Sequence, residues 1–181
     1  MTRIRGAILA AALLGVAVIG VNVLPSVAQQ EPQPIASEPL TERAVFTDDV
    51  DLKLKVKLDG RKSRGHHRWH GQRVVVNVKD PSRTFVARFT VQPGAQFPWH
   101  THPGPVIVNV TEGELVYVGA DDCVKRSYPA GTAFVDPGHG HVHTAYNPTD
   151  APTVFVATFF EVPPAPAPLL IPADAPDDCE V

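Results

Sequence analysis

The residues in this sequence best suited to chemistry are its histidines. All eight lie within two stretches, residues 66–70 and residues 100–143. His100 and His102 are two residues apart, so on a β-strand both imidazoles would point to the same face. A sheet can present two imidazoles to one metal ion in this way. His143 follows later, at the start of another strand-like segment.

The segments that would position these histidines have the patterns of β-strands. From Val50 to Leu58, apolar residues alternate with charged ones, which is typical of a strand with one buried face. Further runs rich in Val, Phe and Thr lie at 74–78, 84–91, 106–110, 115–118, 133–135 and 154–160. Pro, Gly, Asp and Asn separate them. Because helical periodicity is absent after the N-terminus, we predict an all-β protein, either a sandwich or a barrel.

The N-terminus is predicted to be a secretory signal peptide spanning residues 1–28. Two arginines precede an uncharged apolar run over residues 7–24, and Ser26-Val27-Ala28 provides a cleavage site before Gln29. The alternative is an uncleaved membrane anchor, because the run approaches the ~20 residues of a spanning helix. Residues 29–44 are predicted to be a flexible lead-in, and residues 162–181 a proline-rich tail that forms no ladders. The folded domain is predicted over residues 45–161.

Two cysteines, Cys123 and Cys179, remain after removal of the signal. In an exported protein two thiols usually form one disulfide, which here would tie the end of the chain to the middle of the domain. Two free thiols are the alternative. The spacing matches no cysteine-based zinc pattern.

Residues 94–113 resemble the first motif of the cupin superfamily. That motif is Gly, five residues, His-x-His, a short spacer, Glu, six residues and Gly. Gly94, His100, His102 and Gly113 occupy matching positions, but Val106 stands at the position of the glutamate. The first motif is therefore complete except for its carboxylate.

The second cupin motif is Gly, five residues, Pro-x-Gly, two residues, His, three residues and Asn. It is matched by Gly131, Pro137, Gly140, His143 and Asn147, with one extra residue between Pro137 and Gly140. The two motifs cover residues 94–147, and the flanking strand patterns extend the likeness over most of 45–161.

The resemblance implies a small single-domain cupin, of the type-2 monocupin kind, folded as a double-stranded β-helix or jelly-roll barrel. By motif position, His100, His102 and His143 would hold a divalent transition metal, which could be Fe, Mn, Cu, Ni or Zn. Val106 removes the usual carboxylate ligand, but some cupin dioxygenases hold iron with three histidines. His141 shares strand parity with His143 and is an alternative fourth ligand. The other interpretation places His139 and His141 in the lengthened turn, facing solvent.

Two functions follow from the resemblance. One is a metal-dependent, dioxygenase-like oxidoreductase acting on a small molecule; the other is a non-catalytic cupin that binds or sequesters a metal or small ligand outside the cell. The net charge of −3 gives no basis for nucleic-acid binding. Cupins frequently form homodimers, and the Val50–Leu58 strand is a candidate edge. The 66–70 cluster is either an anion-binding loop, an auxiliary metal loop or lid, or a solvated basic loop.

Overall fold

The computed structural model describes residues 34–58, 72–78, 81–177 and 179–181. The predicted signal peptide, its membrane-anchor alternative and the histidine-rich 66–70 loop lie outside the described residues. Among the residues that are described, no helix is long and apolar enough to cross a membrane.

The described residues form β-strands joined by turns and loops, which confirms the all-β prediction. The strands are β1 (Ile35–Pro39), β2 (Ala44–Val45), β3 (Leu52–Leu58), β4 (Gln72–Val78), β5 (Arg83–Val91), β6 (His100–Thr101), β7 (Val106–Glu112), β8 (Glu114–Gly119), β9 (Lys125–Pro129), β10 (Ala133–Asp136), β11 (His143–Tyr146), β12 (Thr153–Phe159) and β13 (Ile171–Pro172).

Two antiparallel sheets make up the jelly roll. The first has the strand order β1-β5-β12-β7-β10, with β2 also paired to β5, and the second has the order β13-β6-β11-β8-β9. The chain passes repeatedly from one sheet to the other, from β5 to β6, from β7 to β8 and from β10 to β11. The two motif histidine segments, on β6 and β11, are therefore neighbours in the second sheet although about 40 residues separate them in the chain.

The core is aromatic where the first sheet faces the second. Along β12, buried Thr153, Phe155, Ala157 and Phe159 alternate with half-buried residues, as expected for a strand with one face on the core. Phe155 lies opposite Phe89 of β5, and their rings stack with centroids 4.9 Å apart. An aromatic pair of this kind stabilises the fold by about 1 kcal/mol in addition to the free energy gained by burying its surface. This cluster forms part of the apolar wall beside the histidines.

The strand predicted from Val50 to Leu58 is present as β3, but it pairs with β4 in a two-stranded sheet of its own. Apolar residues of the two strands face each other across the hairpin, for example Leu54 opposite Val76. Among the strands that the structure describes, the hairpin thus has no ladder hydrogen bonds to the two sheets of the jelly roll. Its residues nevertheless belong to the range 45–161 that was predicted to form the barrel.

Segments on both sides of the predicted domain also contribute strands. β1 lies in the expected flexible lead-in and pairs with β5 over five residues. β13 lies in the tail expected to form no ladders, and pairs with β6. The tail prediction failed because a proline is tolerated at the edge of a sheet, and β13, which contains Pro172, is an edge strand.

Cys123 and Cys179 lie at disulfide distance, with Cα atoms 5.2 Å apart. Cys123 follows β8, and Cys179 is in the segment after β13. The cysteine pair therefore lies where a disulfide would join the C-terminal segment, beyond β13, to the loop after β8.

Candidate metal centre

Three buried histidines come together inside the barrel. His100 begins β6 and lies directly opposite His143, the first residue of β11, while His102 follows β6. Their side chains are almost fully buried, and one ring nitrogen from each lies within 4.8 Å of the others. The ring centroids are 4.3 to 5.2 Å apart. The structure thus brings together the three histidines that the motifs indicate.

Each of the three rings is held through its Nδ1 atom. His100 Nδ1 lies 2.7 Å from the Pro98 carbonyl oxygen, and His102 Nδ1 lies 2.8 Å from the Leu169 carbonyl oxygen. His143 Nδ1 lies 2.6 Å from Asp136 Oδ2. Carbonyl oxygens only accept hydrogen bonds, so Nδ1 of His100 and His102 must carry a proton, and a neutral ring then has its lone pair on Nε2. No hydrogen bond within the described residues engages Nε2 of any of the three.

This arrangement fits a transition-metal ion. Metal-binding histidines generally donate their second ring N–H to a carbonyl or carboxylate, which fixes the tautomer and orients the ring. Three imidazoles are a suitable donor set for Zn, Cu, Fe or Ni and leave coordination positions open. The residues present therefore fit a metal ion bound by His100, His102 and His143.

Burial keeps His100 and His102 neutral and available as ligands. It lowers the pKa of His100 to about 3, with the neighbouring His143 and His102 adding to the effect. Burial also lowers the pKa of His102. A neutral imidazole has the lone pair that a metal needs.

These shifts predict the pH dependence of stability of the metal-free protein. From the ordinary imidazole value of 6.5 down to the lowered values, the unfolded chain binds more protons than the folded one. The stabilisation is therefore fully present above pH 6.5 and is lost as the pH falls below it, by about 1.4 kcal/mol per pH unit for His100, and His102 adds to the loss. Urea unfolding with EDTA at several values between pH 7.5 and 4.5 measures this slope.

The matched variants for this measurement are His100→Gln and His139→Gln. His100→Gln is expected to reduce the slope, and His139→Gln, at an exposed position, is expected to leave it unchanged. An identical slope in the wild type and in His100→Gln would contradict the assignment. The Asp136 carboxyl does not interfere, because its folded pKa is below its ordinary value of 3.8 and its contribution is lost only at lower pH.

Asp136 is a member of the site that sequence analysis missed. It ends β10, is 1 % exposed, and accepts a hydrogen bond at Oδ1 from the Gly138 backbone N–H. Burial alone would raise the pKa of Asp136, but the close electrostatic contact with His143 outweighs burial and lowers the value. The signal in the sequence was an aspartate at the same strand parity as buried Phe134.

The cavity beside the histidines is small and mostly apolar. The space open to the centres of water-sized molecules is about 50 Å³, and the polar groups of its wall are the three histidines, Asp136 and Tyr117. Val106 is buried in this wall, so the usual carboxylate position presents only methyl groups. The Tyr117 ring stacks on His143 with centroids 4.9 Å apart. Burial raises the pKa of the Tyr117 phenol, so it stays protonated.

The other candidate residues lie outside the cluster. The His141 side chain is partly exposed and its Nδ1 is 3.5 Å from Asp121 Oδ2, so the structure does not bring it to the three histidines as a fourth ligand. His139 pairs through Nε2 with Glu161 on the surface. Glu112, at the end of β7, is exposed. The lengthened turn thus directs both of its histidines away from the centre.

A comparison with protein-family models agrees with this fold. Residues 87–159 match the family model described as "Cupin domain". The chain is similar to a cupin-like protein from Thermotoga maritima, at 30% identity over 44% of this chain and 58% of that one, with a TM-score of 0.40. It is also similar to an oxalate oxidase structure, at 29% identity over 42% of this chain and 41% of that one, with a TM-score of 0.38.

A third similar structure is the polyketide cyclase RemF from Streptomyces resistomycificus. The identity is 21%, over 52% of this chain and 63% of that one, and the TM-score is 0.43. The chain spans less than two thirds of the length of each of these three structures. No curated protein matches the sequence. The family match confirms the cupin resemblance seen in the two motifs.

Proposed function

We propose that this cupin-domain protein is an exported metal-binding protein that holds one divalent transition-metal ion with His100, His102 and His143. The observation that carries the proposal is the anchoring of all three buried rings through Nδ1, which leaves three Nε2 atoms for one ion. Export is supported by the signal-like N-terminus and by the Cys123–Cys179 pair at disulfide distance.

The proposal extends to a dioxygenase-like oxidoreductase that acts on a small molecule. A bound transition metal would supply Lewis-acid or redox chemistry to a ligand in the cavity. The apolar wall would exclude bulk water, and the protonated Tyr117 hydroxyl is available as a hydrogen-bond donor. A cavity of about 50 Å³ holds only about three to five waters, so the substrate must be small or must enter only in part.

A non-catalytic binding protein is the second candidate. One observation favours it: of the polar groups lining the cavity, Asp136 is already engaged by His143 and the Gly138 N–H, and the histidines face the metal position. Little is left to act as a general base. In this function the barrel retains the metal or a small ligand without turning it over.

Elemental analysis of the full chain, purified without chelators or a histidine tag, tests the proposal. We expect close to one transition-metal ion per chain in the wild type. His102→Ala is expected to lower metal affinity by more than about 100-fold, since losing a ligand costs more than losing its orienting partner. His139→Ala is the matched control, because it removes an exposed histidine of the same domain, and it is expected to keep the metal.

The identity of the metal separates the two functions. Iron, copper or manganese, followed by oxygen consumption with a small substrate, would support the oxidoreductase. Zinc together with no oxygen consumption would support the binding protein. If the wild type contains no metal, and added Fe²⁺, Mn²⁺ or Zn²⁺ does not raise its melting temperature, metal binding itself is wrong.

A further inference from the structure

We propose that Asp136 is the positioning residue of the metal centre: it holds His143 in the tautomer that can bind a metal and supplies the negative charge that Val106 does not. This inference rests on the metal binding proposed above. It assigns to this chain a carboxylate in contact with a ligand histidine, in place of the carboxylate ligand expected from the first cupin motif.

The contacts of Asp136 leave it one orientation. Oδ1 lies 2.5 Å from the Gly138 nitrogen and must accept, since a backbone N–H only donates. Oδ2 is buried, meets no hydrogen-bond donor in good geometry, and has His143 Nδ1 2.6 Å away as its ion-pair neighbour. An under-satisfied buried oxygen is uncommon, and a missing ion beside it is one explanation.

The electrostatics of the site also favour a cation bound to His143. A carboxylate that is 1 % exposed is costly to bury unless positive charge compensates it. Here the groups next to the carboxylate are the Gly138 N–H, which donates to Oδ1, and His143 Nδ1, which lies 2.6 Å from Oδ2 and belongs to a candidate ligand. Three neutral imidazoles would leave the full charge of a divalent ion in an apolar cavity. Asp136, in contact with one of those imidazoles, offsets one unit of that charge.

The fixed orientation makes Asp136→Asn an informative substitution. The asparagine carbonyl must take the place of Oδ1, because the Gly138 N–H requires an acceptor. The amide NH₂ then faces His143 Nδ1, which has to accept a hydrogen bond and lose its proton. The proton of the neutral ring moves to Nε2, where it blocks the metal. The near-isosteric change is therefore expected to trap the wrong tautomer.

Asp136→Ala acts differently on the same ring. It removes the carboxylate without adding a donor, and His143 Nδ1 can then donate to the His141 carbonyl oxygen, which lies 3.4 Å away. The ring keeps the metal-binding tautomer but loses its charge partner. We expect the alanine variant to lose about 10- to 100-fold in metal affinity, and the asparagine variant to lose more.

The experiment measures Zn²⁺ affinity by competition for the wild type, Asp136→Ala and Asp136→Asn. Long-range ¹⁵N–¹H spectra of the metal-free proteins at about pH 8.5, where ordinary imidazoles are neutral, report the His143 tautomer. Asp122→Asn is the matched control, because it makes the same change in an ion pair with Arg126 outside the centre. It is expected to leave both readouts unchanged.

The order of the affinities decides the result. We expect Zn²⁺ affinity to be highest for the wild type, lower for Asp136→Ala and lowest for Asp136→Asn. We expect His143 to be protonated at Nδ1 in the wild type and at Nε2 in Asp136→Asn. If Asp136 had only a structural role, the near-isosteric Asp136→Asn would bind Zn²⁺ more tightly than Asp136→Ala. That order of affinities would overturn the inference. If no protein binds metal, the proposed function fails, while the tautomer spectra still decide whether Asp136 sets the proton position.

Discussion

Deletion of residues 169–181 is expected to abolish tight metal binding, although the deleted segment contains no ligand. The reason is that His102 Nδ1 donates to the Leu169 carbonyl oxygen, and Leu170 forms part of the cavity wall. Without this segment His102 would lose its orienting acceptor and the cavity would open to water. Losing such a partner lowers metal affinity by about 10- to 100-fold, and losing the wall adds to that.

The attachment of the segment shows where the deletion should begin. Ile171 pairs with Thr101 and Pro172 with His100, and the Ala173 N–H donates to the Trp99 carbonyl oxygen. Deletion of residues 175–181 keeps all of these contacts and removes only the part that reaches Cys179. Both deletions are made with Cys123→Ser, so that neither protein carries an unpaired thiol.

The measurement is Zn²⁺ affinity, with circular dichroism to establish that the sheets are retained. We expect the shorter deletion to bind close to wild-type affinity, with a lower melting temperature where the disulfide had formed. The longer deletion is expected to keep its β-sheet spectrum and lose the metal. Equal affinities for the two deletions would show that the Leu169 carbonyl does not position His102.

Sequence patterns predicted well the strands that contain runs of apolar residues. β5, β7, β8, β10 and β12 lie within about two residues of the predicted runs, because their apolar residues pack in the core. The short strands β1, β6, β9 and β13 have no such pattern. They are strands because a neighbouring strand pairs with them, as β6 pairs with β11 and β13, and a local pattern does not record that.

The residues of the candidate site show the same contrast between local sequence patterns and contacts made only on folding. His100, His102 and His143 were found because their spacing is written into two short motifs. Asp136 and Leu169 were missed because their roles arise only from folding: the Leu169 carbonyl meets His102 across 67 residues of chain. A backbone acceptor has no side-chain signature at all. Sequence reasoning thus identified the candidate ligands and missed the groups that orient them.

Gly138→Ala is expected to damage both the fold and the metal centre, because two loops meet at this residue with no room for a side chain. Gly138 lies in the turn between Asp136 and His143, and a Cβ atom there would overlap the backbone carbonyl of Gly104, two residues after His102. Next to this contact, the His139 N–H donates to the His102 carbonyl oxygen at 3.0 Å. An added methyl group would therefore push the turn carrying Asp136 and His143 away from the segment carrying His102.

Gly140→Ala separates this steric effect from backbone strain. Both glycines have positive φ, +61° at Gly138 and +86° at Gly140, so alanine is strained by about 1–2 kcal/mol at either position. A Cβ atom on Gly140, however, would meet nothing within 4 Å. We expect Gly140→Ala to lower the free energy of unfolding by that amount and to keep metal affinity nearly unchanged. Gly138→Ala should lower the free energy of unfolding by about a further 1–3 kcal/mol, because the added methyl group overpacks the loop contact. It should also lower Zn²⁺ affinity by at least 10-fold. Urea unfolding and Zn²⁺ competition measure the two effects; matching losses in the two variants would mean that the loop contact does not hold the metal centre together.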